Sequence, residues 1–146
     1  MLCMKKMMTC LWFDNQGEAA IDYYLSVFKN SNLTSKSRNG KGGPGPENQM
    51  LAGTVELEDM QLMVLNGGPH YTLSPAVSLY INCADQQEVD YYWDKLGDGG
   101  KYMQCGWLTD RFGVSWQVVP TILPELLQDK DKEKSQRVMK AMMQMI

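Results

Sequence analysis

Apolar and polar positions along the chain fall into one order that occurs twice. Thr9 to Phe13 is a short apolar run closed by Asp14-Asn15-Gln16-Gly17, after which Ala20, Tyr23, Tyr24, Val27 and Phe28 recur at helical spacing. This pattern predicts strand, turn and helix. Ala76 to Cys83 is a second short run rich in strand formers and ended by Ala84-Asp85; Val89, Tyr92, Trp93 and Leu96 then follow on one helical face. The two helices also share text, Ile21-Asp22-Tyr23-Tyr24 in the first and Val89-Asp90-Tyr91-Tyr92 in the second. After the first helix, Met50 to Leu57 and Gln61 to Leu65 read as strands joined by a tight hairpin at Glu58-Asp59-Met60. After the second, Lys101 to Thr109 and Val114 to Val119 repeat that layout across Asp110-Arg111-Phe112-Gly113. Each half therefore reads βαβββ, which predicts an α+β fold built from a duplicated unit.

Two segments stand outside this order. Asn39 to Asn48 is dense in glycine and proline, and it predicts an exposed hairpin loop. A phosphate-loop assignment fails there, because Gly40-Lys41 is followed by Gly42 instead of Ser or Thr. From Gln128 to Arg137 charges alternate, and Val138, Ala141, Met142 and Met145 then make an apolar stripe. A terminal helix over 129–146 follows, its stripe covering either its own domain or a dimer partner.

Composition narrows the class. With 146 residues and 44% hydrophobic content the chain can bury one core, and a single domain over 1–128 is expected. The balance of 14 basic against 17 acidic residues, net charge -3, offers no basic face to a nucleic acid. Cys3, Cys10, Cys83 and Cys105 are widely spaced, with no CxxC and no histidine set for zinc, so they predict plain thiols of a reducing compartment. The run from Met1 to Phe13 meets Asp14 without a small-residue cleavage site, and no segment approaches the roughly 20 apolar residues of a membrane span. The expectation is a cytoplasmic protein with no nucleic-acid or membrane partner.

Asn66-Gly67-Gly68-Pro69, the run Ala76-Val77-Ser78-Leu79-Tyr80, and the stretch from Cys105-Gly106-Trp107 through Asp110-Arg111-Phe112-Gly113 to Ser115-Trp116-Gln117-Val118-Val119-Pro120 resemble the PhnB-like branch of the vicinal-oxygen-chelate superfamily. Glyoxalase I, bleomycin-resistance proteins and extradiol dioxygenases share that superfamily. The resemblance covers roughly residues 9 to 125 and implies a glyoxalase-like fold. Its two βαβββ modules, about 7–66 and 74–120, would share a curved mixed sheet around a small-molecule cavity, in a homodimer. The branch is often labelled 3-demethylubiquinone-9 3-methyltransferase-like. A methyltransferase of that kind would show a Gly-rich strand-to-helix turn in an open parallel sheet, which the sequence lacks.

Metal-dependent relatives hold their ion with four residues, usually His or Glu. Alignment on the Asp-Tyr-Tyr helices and the last strand puts Thr9, Glu56, Ala76 and Gln117 at those positions. One carboxylate among neutral groups does not make a firm site, so neither metal nor cofactor is expected. Strand alternation then assigns Leu11, Phe13, Thr54, Glu56, Ser78, Tyr80, Ser115 and Gln117 to the cavity face. Trp12, Val55, Leu57, Val77, Leu79, Ile81, Val114, Trp116 and Val118 fall on the helix-covered face. Trp107 is either a cavity wall or core, and Tyr102 either joins it or lies on the surface. Glu56 is either a cavity carboxylate or a solvated one. His70, the one histidine, is either plain surface or at the cavity rim; these two are the candidate acid or base groups. Two functions remain: binding of a small organic molecule, which needs shape, aromatics and polar anchors, or a lyase-, isomerase- or dioxygenase-type enzyme. A structural homodimer with a vestigial pocket is the third.

Overall fold

The computed structural model describes residues 5–144. Met1, Cys3 and Met145 lie outside the described residues, as do the side chains of Val138, Ala141 and Met142. The chain divides into two compact units, one through Leu73 and one from Ser74.

The first unit runs β1 (Thr9–Phe13), α1 (Gly17–Val27), β2 (Ser31–Arg38), β3 (Met50–Leu57) and β4 (Met60–Asn66). The second runs β5 (Ser78–Cys83), α2 (Gln86–Gly97), β6 (Lys101–Tyr102), β7 (Trp107–Thr109) and β8 (Ser115–Pro120), followed by α3 (Ile122–Leu127) and α4 (Lys132–Gln144). The sheets have the same order, β1-β4-β3-β2 and β5-β8-β7-β6, with the first pair parallel and the others antiparallel. The α+β duplication predicted from the sequence is present.

In the first unit α1 lies across the sheet face that carries Gly53, Val55, Leu62 and Val64. A Cβ on Gly53 would sit 2.7 Å from Ile21 Cδ1, so the helix rests directly on the strand backbone there. Ala20, Ile21 and Tyr24 are fully buried, and each large apolar side chain of this kind contributes about 1.5–3 kcal/mol. Asn66, at the end of β4, accepts from Gly17 N at 2.8 Å and donates to Met50 O at 2.9 Å. One carboxamide thus ties the start of α1 to the start of β3. Glu18, in the first turn of α1, accepts from Lys36 and Arg38 of β2, each at 2.7 Å. Those two bonds hold its carboxyl below the usual carboxylate range.

In the second unit Leu79, Cys83, Leu108, Trp116 and Val118 form the buried face, and α2 packs on it with Tyr92 and Leu96. Asp85 caps α2 by accepting from Glu88 N at 2.9 Å. The β7–β8 hairpin is organised by Asp110, which is 3% exposed. Its Oδ1 accepts from Phe112 N and Val114 N at 2.9 and 3.0 Å, and its Oδ2 accepts from Trp116 Nε1 at 2.8 Å.

The structure departs from the sequence expectation at several elements. Lys101 to Thr109 is not one strand: Gln104 O accepts from Trp107 N across a turn whose central residues, Cys105 and Gly106, have φ 62 and 79. A type I′ turn needs positive φ at both positions, and only one of them is glycine. β5 begins at Ser78, leaving Ala76 in an exposed turn and Val77 65% exposed, outside the apolar face assigned to it. Helix α3 was not expected; Pro124 inside it masked the i, i+4 spacing of Ile122, Leu123, Leu126 and Leu127. The terminal helix is present as α4, capped by Asp131 and packed on α3.

Replacing Asp110 by Ala would leave three N–H groups without their acceptor, two of them buried. The expected destabilisation is about 3–5 kcal/mol in urea unfolding; a loss under about 1 kcal/mol would show that the carboxylate does not organise the hairpin.

Candidate functional site

The face of the second sheet opposite α2 carries a groove of ≈220 Å³. Register places its floor. Ser78 pairs with Ser115 and Tyr80 with Gln117 along β5 and β8, while Trp107 pairs with Gln117 and Thr109 with Ser115 across β7. All six side chains therefore lie on one face. Tyr80, Trp107, Gln117 and Val119 line the groove, and Leu123 and Leu127 of α3 form its wall. Gln117 Nε2 donates to Ser78 Oγ at 3.0 Å, which fixes the carboxamide and leaves its Oε1 as an acceptor. Ser115, 2% exposed, has a buried Oγ without a hydrogen-bond partner. Cys105 sits at the rim in its left-handed turn. Because Asp110 clamps the hairpin, Trp107 and Gln117 are held opposite each other by a buried carboxylate just beyond the end of β7.

Of the residues singled out from sequence, Tyr80, Trp107 and Gln117 meet in this groove, with Ser78 bonded to it and Ser115 on the same face. Tyr102 does not join them. It pairs with Leu108, so it projects from the helix-covered face and stacks on Trp93 at 4.6 Å. α3 supplies wall residues that the sequence pattern missed.

The first sheet requires a larger correction. Thr9, Leu11 and Phe13 pair with Leu62, Val64 and Asn66, and Leu62 in turn pairs with Val55. These residues share the face under α1; Leu11 and Phe13 are buried there. Trp12 lies on the opposite, open face with Leu65. The run Thr9-Cys10-Leu11-Trp12-Phe13 has no alternation, so the sequence carries no signal of its parity, and the structure places it one residue away from the expectation. Thr54 and Glu56 do lie on the open face, Thr54 5% exposed and Glu56 half-buried beside Gln61. His70 is exposed in the segment after β4.

This register also bears on a metal. Thr9 and Glu56 occupy opposite faces of one sheet and cannot converge on an ion. Ala76 has no donor side chain, and no group of three His, Cys, Asp or Glu among the described residues could hold a metal. The donor set does not fit a superfamily metal centre, and no chemical step is routed through one. No helix among the described residues is long and apolar enough to cross a membrane.

Cys83 is a poor nucleophile. Burial, with the Glu88 carboxylate next and Asp85 adding, pushes its thiol up to about 11, against a lowering by the Val119 backbone. At pH 8 iodoacetamide is expected to leave Cys83 unmodified in the folded protein and to modify it in urea, read by mass spectrometry. Rapid native labelling would contradict its placement.

A family model described as 3-demethylubiquinone-9 3-methyltransferase matches residues 5–119. Among solved structures, the chain is similar to a PhnB protein from Bacillus cereus, with 32% identity, 80% of this chain and 99% of that one covered, and a TM-score of 0.74. A Pseudomonas aeruginosa protein is 20% identical over 80% of this chain and 98% of its own, TM-score 0.67. An Arabidopsis thaliana gene product is 17% identical over 78% and 97%, TM-score 0.54. The last two share the fold alone. No curated protein matches the chain.

Proposed function

We propose that this chain, which belongs to the 3-demethylubiquinone-9 3-methyltransferase family in its PhnB-like branch, binds a small neutral organic molecule in the groove of its second unit without a tightly held catalytic metal. The observation that carries this is the lining itself: two aromatic rings, a fixed carboxamide and an apolar wall, with no charged group among them. Such a surface recognises a ring by stacking and one polar substituent by hydrogen bonding. At ≈220 Å³ the groove lies below the usual range of drug-sized sites and suits a single-ring compound. Gln117 Oε1 would accept from a hydroxyl or amide N–H, while Trp107 and Tyr80 take the ring.

The family's description names a methyl transfer, and that chemistry is not part of the proposal. The chain's sheets are four-stranded and mixed, so an open parallel sheet with a cofactor-binding turn has no counterpart among the described residues. No His, Asp, Glu, Lys or Arg lines the groove, and the two candidate acid or base groups, Glu56 and His70, belong to the other unit, His70 on its surface.

The test is ligand-observed NMR with 4-hydroxybenzamide as the probe. Binding is expected to weaken at least about tenfold in Trp107→Ala, corresponding to about 1.4 kcal/mol, and by a similar factor in Gln117→Leu, while Glu56→Gln leaves it unchanged. Binding insensitive to both groove variants would sink the reading. Calorimetric titration of chelator-stripped protein with zinc, nickel, manganese and iron(II) is expected to show no micromolar stoichiometric site. Micromolar binding would restore metal-assisted catalysis.

A further inference from the structure

The first unit holds a second groove, of ≈340 Å³, on the open side of its own sheet and wholly within that unit. Its walls are Trp12 of β1, Leu65 of β4 and Leu51 of β3, closed by the glycine- and proline-rich loop between β2 and β3. The sequence predicts that this loop is simply exposed, yet Asn39 at its start is 5% exposed. Both backbone groups of Asn39 are used: its N donates to Gln49 O and its O accepts from Asn48 N, each at 2.8 Å. Its side-chain Oδ1 is buried with no hydrogen-bond partner. The loop backbone closes over this amide, since a Cβ on Gly45 would sit 2.8 Å from Asn39 Nδ2.

An orphaned buried acceptor costs about 1–3 kcal/mol, and such a group is normally satisfied by water or by a ligand. Asn39 is among the residues that line a groove large enough for a ligand, with its Oδ1 just beneath the groove surface. The charge in that groove has one sign. Asp14 is its one ionisable lining residue, and no Lys or Arg among the described residues pairs with it. Trp12 is held in place, its Nε1 donating to Gly68 O at 2.9 Å and its ring lying beneath Gly67, where a Cβ would come within 2.4 Å. An ordered indole, a carboxylate and an unfilled amide acceptor together favour a positively charged, N–H-bearing planar group.

We propose that this groove is a binding site for a small planar organic cation of the amidine, guanidine or aromatic-amine class. The ligand's N–H groups face the Asp14 carboxylate and its plane rests against Trp12, while a shift of the covering loop lets one N–H bond to Asn39 Oδ1. The site is independent of the groove proposed in the second unit and stands whether or not that one binds anything.

Benzamidine and benzoate separate the possibilities, because they share a ring and differ in charge and in donors against acceptors. In ¹⁵N-resolved NMR titrations benzamidine is expected to bind in the millimolar range usual for so small a molecule, shifting the Trp12 indole N–H and the Asn39 side-chain amide, while benzoate leaves both unmoved. Asn39→Leu is expected to weaken benzamidine at least about tenfold while thermal stability stays equal or rises, since the change removes an unpaired acceptor and leaves the backbone bonds in place. Asp14→Asn, at an exposed position, keeps the fold intact and is expected to weaken benzamidine about threefold and to flatten its salt dependence. Benzoate binding as well as benzamidine, benzamidine shifts confined to other residues, no shift at millimolar benzamidine, or undiminished affinity in both variants would each overturn the proposal.

Discussion

The first strand of each module hydrogen-bonds in parallel to its last, β1 to β4 and β5 to β8, and no tight turn can connect such a pair. The chain has to cross over, and it does so through a helix that settles on one face of the sheet. That face is consequently apolar in both units: Ile21 and Tyr24 of α1 are buried with Val55 and Val64 of the strands it packs on, and Leu96 of α2 with Trp116 and Leu108 of its own. The opposite face receives no helix from the crossover. Its polar and aromatic side chains, Gln117, Ser78 and Tyr80 in the second unit and Trp12 and Thr54 in the first, are placed by default where a groove can form.

Within that common plan the two units close their sheets differently. After β4 the chain leaves through Gly67, whose N donates to Phe13 O at 2.8 Å; after β8 it leaves through Thr121, whose N donates to Cys83 O at the same distance. The exits are equivalent in the ladder and differ in their destinations. The first leads into the segment with His70 and Tyr71, where the Tyr71 and Trp12 rings meet nearly at right angles, centroids 5.0 Å apart. The second leads directly into α3, which walls the groove with Leu123 and Leu127. The stabilising clamps differ as well, an uncharged carboxamide at Asn66 and a buried carboxylate at Asp110.

How much of this was legible depended on local contrast. In β5 and β8 serine, tyrosine and glutamine alternate with leucine, isoleucine, tryptophan and valine, and the faces could be assigned residue by residue. In β1 every residue can be buried, so contrast vanished and the assignment of Leu11, Trp12 and Phe13 inverted. The turn at Cys105 and Gly106 was hidden because a cysteine holds a conformation usually left to Gly, Asn or Asp. Asn39 was hidden in a different way: composition marks the loop, whereas burial of one amide within it depends on the closure of the loop backbone, which no sequence period encodes.

The one-sidedness of each sheet separates two kinds of inheritance. Side chains under the helix answer to the core, where a lost methylene is felt at once. Apart from buried members such as Thr54 and Ser115, those on the other side answer to solvent and to whatever enters. Variation at their exposed positions can therefore accumulate with little folding penalty, and a scaffold of this kind can exchange one chemical clientele for another while its descendants remain folded throughout. Two copies of the same plan within one chain give such a lineage two surfaces on which to diverge.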